Sequence, residues 1–268
     1  IYTDAVFERC LFVGVREDKN GGFSVKSSEV ISDLVSILDN KHDKIFMTME
    51  AFESISLKDD TLERYLSAQG EFDSKYEVGE RTADNERLKS ALAQLKKLIG
   101  AKMKNELLEL MGVDSLVIDE AHNFKNGRKG NFGNRVKWLS LADPSSRGVN
   151  GAVKAWYIRE QSEKQDGVLC LTATPITNSP LEIYSMLALA VGEDKVNRLT
   201  GVKGADQFLE NFCDIETREE STVDGREVET EVFAGLRNVG LLRKLIQSVA
   251  TIKNADDLPN GRDYIPKS

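Results

Sequence analysis

The stretch Ser115-Leu-Val-Ile-Asp119-Glu120-Ala121-His122 decides how this chain is read. Ser115 to Ile118 predicts a buried strand, and two acids stand at its carboxyl end. In an open parallel sheet, ligands bind just beyond the carboxyl ends of the strands. An acid in that place can hold a magnesium ion through water, and a second acid beside it can orient or deprotonate an attacking water. Asp119 therefore reads as the magnesium residue and Glu120 as the catalytic carboxylate. His122 stands two residues on, placed to sense a bound nucleotide and relay its state. The competing reading is an acidic turn after a strand, with nothing bound.

A second stretch has the same form: Val168-Leu-Cys-Leu-Thr172-Ala-Thr174-Pro175-Ile-Thr-Asn178-Ser179-Pro180-Leu-Glu182. It predicts another buried strand with hydroxyls at its carboxyl end, stopped by Pro175, which cannot donate to a ladder. Ser179, Pro180 and Glu182 then make a helix start: an N-cap serine, a proline at the first helical position and the acid of a capping box.

Together the two stretches resemble superfamily 2 helicases and translocases, most closely the Swi/Snf-type branch. In that branch the acidic box is followed by His-x-x-Lys-Asn, matched here by His122-Asn-Phe-Lys125-Asn126. Its later motif, Leu-Thr-Gly/Ala-Thr-Pro-x-x-Asn, is matched by Leu171 to Asn178. The wider segment looks like the helicase-methylase proteins of phages and mobile elements, through Ser145-Ser-Arg147, Lys154-Ala-Trp156-Tyr157 and Glu182-Ile-Tyr184. Lys44-Ile-Phe-Met-Thr48-Met-Glu-Ala-Phe52 resembles the strand and motif preceding the acidic box there, in a region that borders the nucleic-acid path. The resemblance spans about residues 40 to 260 and is strongest at the two motifs.

The resemblance implies an α/β fold: a partial RecA-like parallel sheet lobe with a long helical insertion and a mostly helical C-terminal extension. It implies ATP and Mg2+ as cofactors, with Asp119 holding the metal, Glu120 activating water and His122 coupling to Thr172 and Thr174. Those threonines, with Asn178 in the same motif, would link nucleotide state to contact with DNA, double-stranded in this branch. The family's first motif departs: no Gly-x-x-x-x-Gly-Lys-Ser/Thr occurs in the sequence. That loop cradles the phosphates, and the second RecA-like lobe with its arginine finger is also missing. The chain alone is therefore not expected to hydrolyse ATP.

Length and composition set the outer bounds. The 268 residues suffice for one large domain or two small ones, and the start at Ile1 points to a fragment or a processed product. A formal net charge of −8 argues against wholesale wrapping of nucleic acid, though not against a local basic strip. Cys10, Cys170 and Cys213 have no metal-like spacing and fit a reducing compartment. No apolar run reaches the length of a membrane span and no signal peptide is present, so a soluble, cytoplasmic protein is expected.

Four divisions follow along the chain: 1–59, the first part of the lobe; 60–112, a helical insertion; 113–200, the lobe core with both motifs; and 201–268, a helical extension with a hairpin. Cys10 to Val15 predicts one strand. Ser28 should cap a helix that shows Ile31, Leu34, Val35 and Leu38 on one face. Leu88, Leu92, Leu95 and Ile99 recur at helical spacing, continued by Met103, Leu107 and Leu110. That stripe is either a partner surface or packing on its own domain. Helices are expected over 145–164, 179–191, 204–212 and 240–250, with a hairpin over 220–233 around Asp224-Gly225. After the acidic box, Arg128, Lys129, Arg135 and Lys137 alternate with glycines and with Phe132 and Trp138. Such a segment can contact phosphates and stack bases, or it can be a solvated loop.

The sequence thus points to part of an ATP-dependent DNA helicase or translocase, "translocase" being the safer word. The rival from another class is a non-catalytic DNA- or protein-binding module on a degenerate lobe, favoured by the missing phosphate loop and opposed by the intact acids. A nuclease-like metal site is weaker, since no further carboxylates are placed near Asp119 and Glu120.

Overall fold

In the computed structural model, Gly14 breaks the apolar run that reads as one strand. Its φ of 75° lies in the left-handed region that favours glycine. The run becomes β1 (Cys10–Phe12) and β2 (Val15–Glu17), and β3 (Phe23–Val25) returns antiparallel to β2. The structure describes residues 9–17, 19, 21–39, 41–69, 81–99, 107–129, 136, 137, 139, 143–174, 179–221 and 227–257. Next come α1 (Ser27–Ile37), β4 (Lys44–Phe46), α2 (Met49–Ser54), α3 (Asp59–Ala68), α4 (Arg81–Ile99), β5 (Leu116–Ile118), α5 (Ser146–Glu160) and β6 (Val168–Cys170). They are followed by α6 (Pro180–Val191), α7 (Glu193–Thr200), α8 (Ala205–Phe212), β7 (Cys213–Ser221), β8 (Glu227–Leu236) and α9 (Val239–Val249).

The chain divides into two compact units, 1–127 with 143–173, and 128–142 with 174–268. In the first unit β4 runs parallel to β1 and β6 parallel to β5. Parallel neighbours need a crossover, and α1 lies in the first connection, α5 in the second. The expected α/β class with parallel strands is what the structure shows.

The first unit's core gathers Leu34, Ile55, Leu62, Tyr65, Val153 and Ile158. Leu95 and Ile99 of α4 join it, with Leu88 and Leu92 partly buried against it. The α4 stripe therefore packs on its own unit. Its expected continuation fails at Leu107, which is extended (φ −95°, ψ 131°) and bridges to Ser56; Met103 lies outside the described residues.

The expectations for α1, first, and for the motif strands need correction. The N-cap of α1 is Lys26, which makes no side-chain cap, and Ser28 lies inside the helix. The buried face of α1 is Asp33, Leu34 and Ile37, while Ile31, Val35 and Leu38 are exposed. The cause is polar. The Asp33 carboxylate accepts the Gly14 N–H at 2.7 Å and two Arg16 N–H groups at 2.9 and 2.7 Å, so this face turns inward. The Arg16 guanidinium holds the Asp33 carboxyl below its ordinary pKa. Second, the motif strands are half-buried rather than buried: Val117 is 61% and Leu169 53% exposed. Side chains alternate across a sheet, and Val117 and Leu169 share the face that the described residues leave exposed.

The second unit packs Tyr184, Val196, Phe208, Leu209 and Phe212 together. Helix α7 was not anticipated; Gly192 and Gly201, both at positive φ, bound it. The hairpin is longer than expected, paired from Cys213↔Leu236 to Ser221↔Glu227, and its Asp224-Gly225 tip lies outside the described residues. Among the described residues no helix is long and apolar enough to cross a membrane.

Candidate nucleotide-hydrolysis site

The acidic turn begins where β5 stops. Ile118 is buried and Asp119 exposed. Glu120 sits in the left-handed region (φ 49°, ψ 46°), which costs a residue with a Cβ about 1–2 kcal/mol. Two short bonds hold it there. The Glu120 N–H donates to Asp119 Oδ1 at 2.9 Å, and the Asn123 side-chain amide donates to the Glu120 carbonyl at 2.9 Å. Ala121 to Phe124 then make one 3-10 turn, with Ala121 and Phe124 buried.

The β5–β6 ladder continues past both strands. The Leu171 N–H donates to the Ile118 carbonyl at 2.8 Å, and the Ala121 N–H to the Leu171 carbonyl at 2.9 Å. This register brings Thr172 to the acidic turn. His122 Nδ1 lies 3.2 Å from Thr172 Oγ1 and 3.2 Å from Glu120 Oε2. A carboxylate only accepts, so the contact with Glu120 requires the proton on Nδ1. A bare Nδ1 would instead accept the Thr172 O–H. The imidazole thus stands between Glu120 and Thr172.

The donor set fits magnesium. Mg2+ keeps several waters and takes one or two carboxylate oxygens, and Asp119 offers a hard oxygen at an exposed strand end. Among the described residues no group of three or more acids, histidines or cysteines gathers as a caged metal site would require.

Asp119, Glu120, His122 and Thr172 therefore come together. Thr174 is exposed and belongs to the second unit, and Asn178 lies outside the described residues. Of the basic residues after the box, Arg135 also lies outside them, while Lys129 and Lys137 are exposed. The Lys137 backbone bridges to β8, its N–H donating to the Glu231 carbonyl at 2.7 Å. Arg128 is engaged within the second unit: it pairs with Glu193 at 2.8 Å, with side-chain exposures of 14% and 19%. The Tyr184 hydroxyl lies 2.7 Å from Glu193 Oε1 and 2.9 Å from Asn197 Oδ1. Burial, with Glu193 alongside, pushes the Tyr184 phenol up.

Sequence reasoning gave no role to Phe124, Gly148, Gly151 or Asn150, and placed Lys154 only within a resemblance. A signal was present: Gly148, Asn150, Gly151 and Lys154 interrupt the apolar pattern of α5, and all four are buried.

A family model described as a probable helicase domain matches residues 23–251. Among curated proteins, "Defense against restriction protein B" of Escherichia phage P1 is 25% identical over 229 residues. The match covers 80% of this chain, and the chain spans about 10% of the phage protein's length. No solved structure matches.

Proposed function

We propose, from the premise that this chain belongs to the probable helicase domain family, that it forms the first RecA-like lobe of an ATP-dependent DNA translocase or helicase of the Swi/Snf type. One observation carries this reading. Asp119, Glu120 and His122 stand at the carboxyl end of β5, and His122 reaches Thr172 just beyond the neighbouring parallel strand. The two motifs that match a motor in sequence are thus joined by a side chain able to report between them.

In this reading Asp119 would hold a magnesium ion, which would supply charge neutralisation at the ATP phosphates. Glu120 orients or deprotonates the attacking water. A proton taken up by Glu120 removes the charge that faces His122, and the His122–Thr172 contact carries that change to the second motif. Thr174 and Asn178 pass the change toward DNA. The phosphate-binding loop and the second lobe would come from elsewhere in a longer protein. The phage relative's name concerns restriction, and a DNA-directed motor suits that setting.

The test is Mg-ATP hydrolysis by the natural full-length protein with duplex DNA. Asp119→Asn and Glu120→Gln should each lower turnover by at least about a hundredfold. Undiminished hydrolysis in both variants would sink the motor reading, and the binding-module reading would replace it.

A further inference from the structure

The acidic turn, closed by its own two bonds, rests on a further layer of contacts beneath it. We propose that Phe124 is a positioning residue for Glu120 and His122, and that α5 supplies its seat, with Gly151 on one side and Phe52, held by Lys154, on the other. The proposal rests on the motor reading, because it concerns what keeps that reading's carboxylate in register.

Phe124 closes the 3-10 turn that begins directly after Glu120. Its ring meets Phe52 edge-on, 6.2 Å between centroids at 77°. On the other side a Cβ at Gly151 would overlap the Phe124 ring. One turn earlier a Cβ at Gly148 would stand 2.7 Å from the Gly127 nitrogen. Two glycines inside a helix cost about 1 kcal/mol each relative to alanine. Here they allow the backbone and ring of the segment after the acidic box to lie directly on α5. The Ser145 N–H donates to the Asn126 carbonyl at 2.8 Å and closes the same contact.

Phe52 is fixed in turn. Lys154 is 0% exposed; its Nζ donates to the Phe52 carbonyl and lies 4.5 Å from the Phe52 ring centroid. The Asn150 amide donates to the Glu53 carbonyl at 3.0 Å. Arg147 reaches the Glu50 carboxylate at 3.1 Å and also pairs with Glu53. The last carbonyls of a helix have no partner within it, and α5 provides donors for those of α2. Burial pushes the Lys154 amine down to about 7, with Glu53 acting the other way. A lysine kept at that cost serves the two partners it touches, the carbonyl and the ring of Phe52. A line of contact therefore runs Lys154, Phe52, Phe124 and the acidic turn. Lys154, Phe52 and Phe124 are not among the site residues, so their loss should change turnover rather than ATP affinity.

The experiment compares steady-state ATPase and thermal melting of the natural full-length protein with those of Gly151→Ala, Phe124→Leu, the double variant and Lys154→Met. Misplacing a catalytic group by about 1 Å can cost on the order of a hundredfold. Gly151→Ala is expected to lower kcat by about tenfold or more at unchanged KM for ATP. The double variant, in which the smaller side chain makes room for the new methyl, should recover most of the rate. Lys154→Met should lower kcat in the same sense. If Gly151→Ala does not fold, Phe124→Leu alone decides: a lower kcat at unchanged KM supports the proposal and an unchanged kcat overturns it. Parallel loss of kcat, KM and melting temperature without recovery in the double variant makes Phe124 ordinary core and also overturns it. An inactive wild type instead removes the motor reading itself, so the two failures are distinct.

Discussion

Helices α5 and α6 both begin at a serine N-cap and both bury most of their length, yet they bury different things. Helix α6 buries Leu181, Ile183, Tyr184, Leu187 and Leu189 together with Glu182 and Ser185, and most of that contact is volume. Helix α5 also buries Asn150, Lys154 and Arg159, and it carries Gly148 and Gly151 where other backbone lies against it. Apolar contact is non-directional, whereas a donor aimed at one carbonyl has a narrow range of distance and angle. A helix held by volume tolerates a small shift of its neighbours. A helix held by aimed donors does not, and the acidic turn rests on the second kind.

The contrast can be broken most forcefully from the α6 side. Phe208 packs between Tyr184 at 5.2 Å and Phe212 at 4.6 Å between centroids. Phe208→Ala should cost about 3–5 kcal/mol in urea unfolding. A loss below about 1 kcal/mol would show that volume is not what holds α6.

On the α5 side the expected signature depends on pH. The pKa of Lys154 falls from an ordinary 10.5 to about 7 in the folded protein. Between those values the unfolded chain keeps a proton that the folded chain has lost, so folding stability rises with pH across that window and is flat below it. The slope relative to Lys154→Met should approach about 1.4 kcal/mol per pH unit. Equal pH profiles for the two proteins would show that the amine is not desolvated.

A polar cluster on α6 gives a smaller test. Tyr184→Phe removes the hydroxyl beside Glu193 and Asn197 and should cost about 1–2 kcal/mol in urea unfolding. No change would mean that Arg128 alone satisfies Glu193.

The two caps give the smallest effects and the sharpest comparison. Ser145 accepts the Gly148 N–H at 3.0 Å, and Ser179 the Leu181 N–H at 3.2 Å. Each serine-to-alanine change should cost about 1 kcal/mol. If Ser145→Ala alone also slows turnover, the start of α5 belongs to the same support as Phe124.

What the sequence revealed follows from the range of each signal. The cap at Ser179, Pro180 at the first turn of α6, and acids after an apolar strand are local, and the structure has them where the letters place them. The inward turn of α1 was not legible. Ile31, Val35 and Leu38 form a sound apolar stripe, and only the distant Gly14 N–H and Arg16 explain why Asp33 is buried instead. The split after Phe12 hung on a single glycine within an apolar run. Within the site, His122 and Thr172 were paired through resemblance to a family, and the parallel register supplies the physical reason. The seat of Phe124 was hidden because its partners, Phe52 and Gly151, are far away in sequence and have no local pattern in common with it.

The left-handed backbone at Glu120 sets selection for persistence against selection for work. Glycine would adopt that conformation without the steric cost of a Cβ, so Glu120→Gly should yield a protein at least as durable and without its carboxylate. A lineage released from the need to act would gain by that exchange, and a screen for thermal tolerance alone would favour it. Under the motor reading, a glutamate at this place in a related sequence would therefore mark a chain still used for its chemistry, and a glycine there would mark one retained as scaffold.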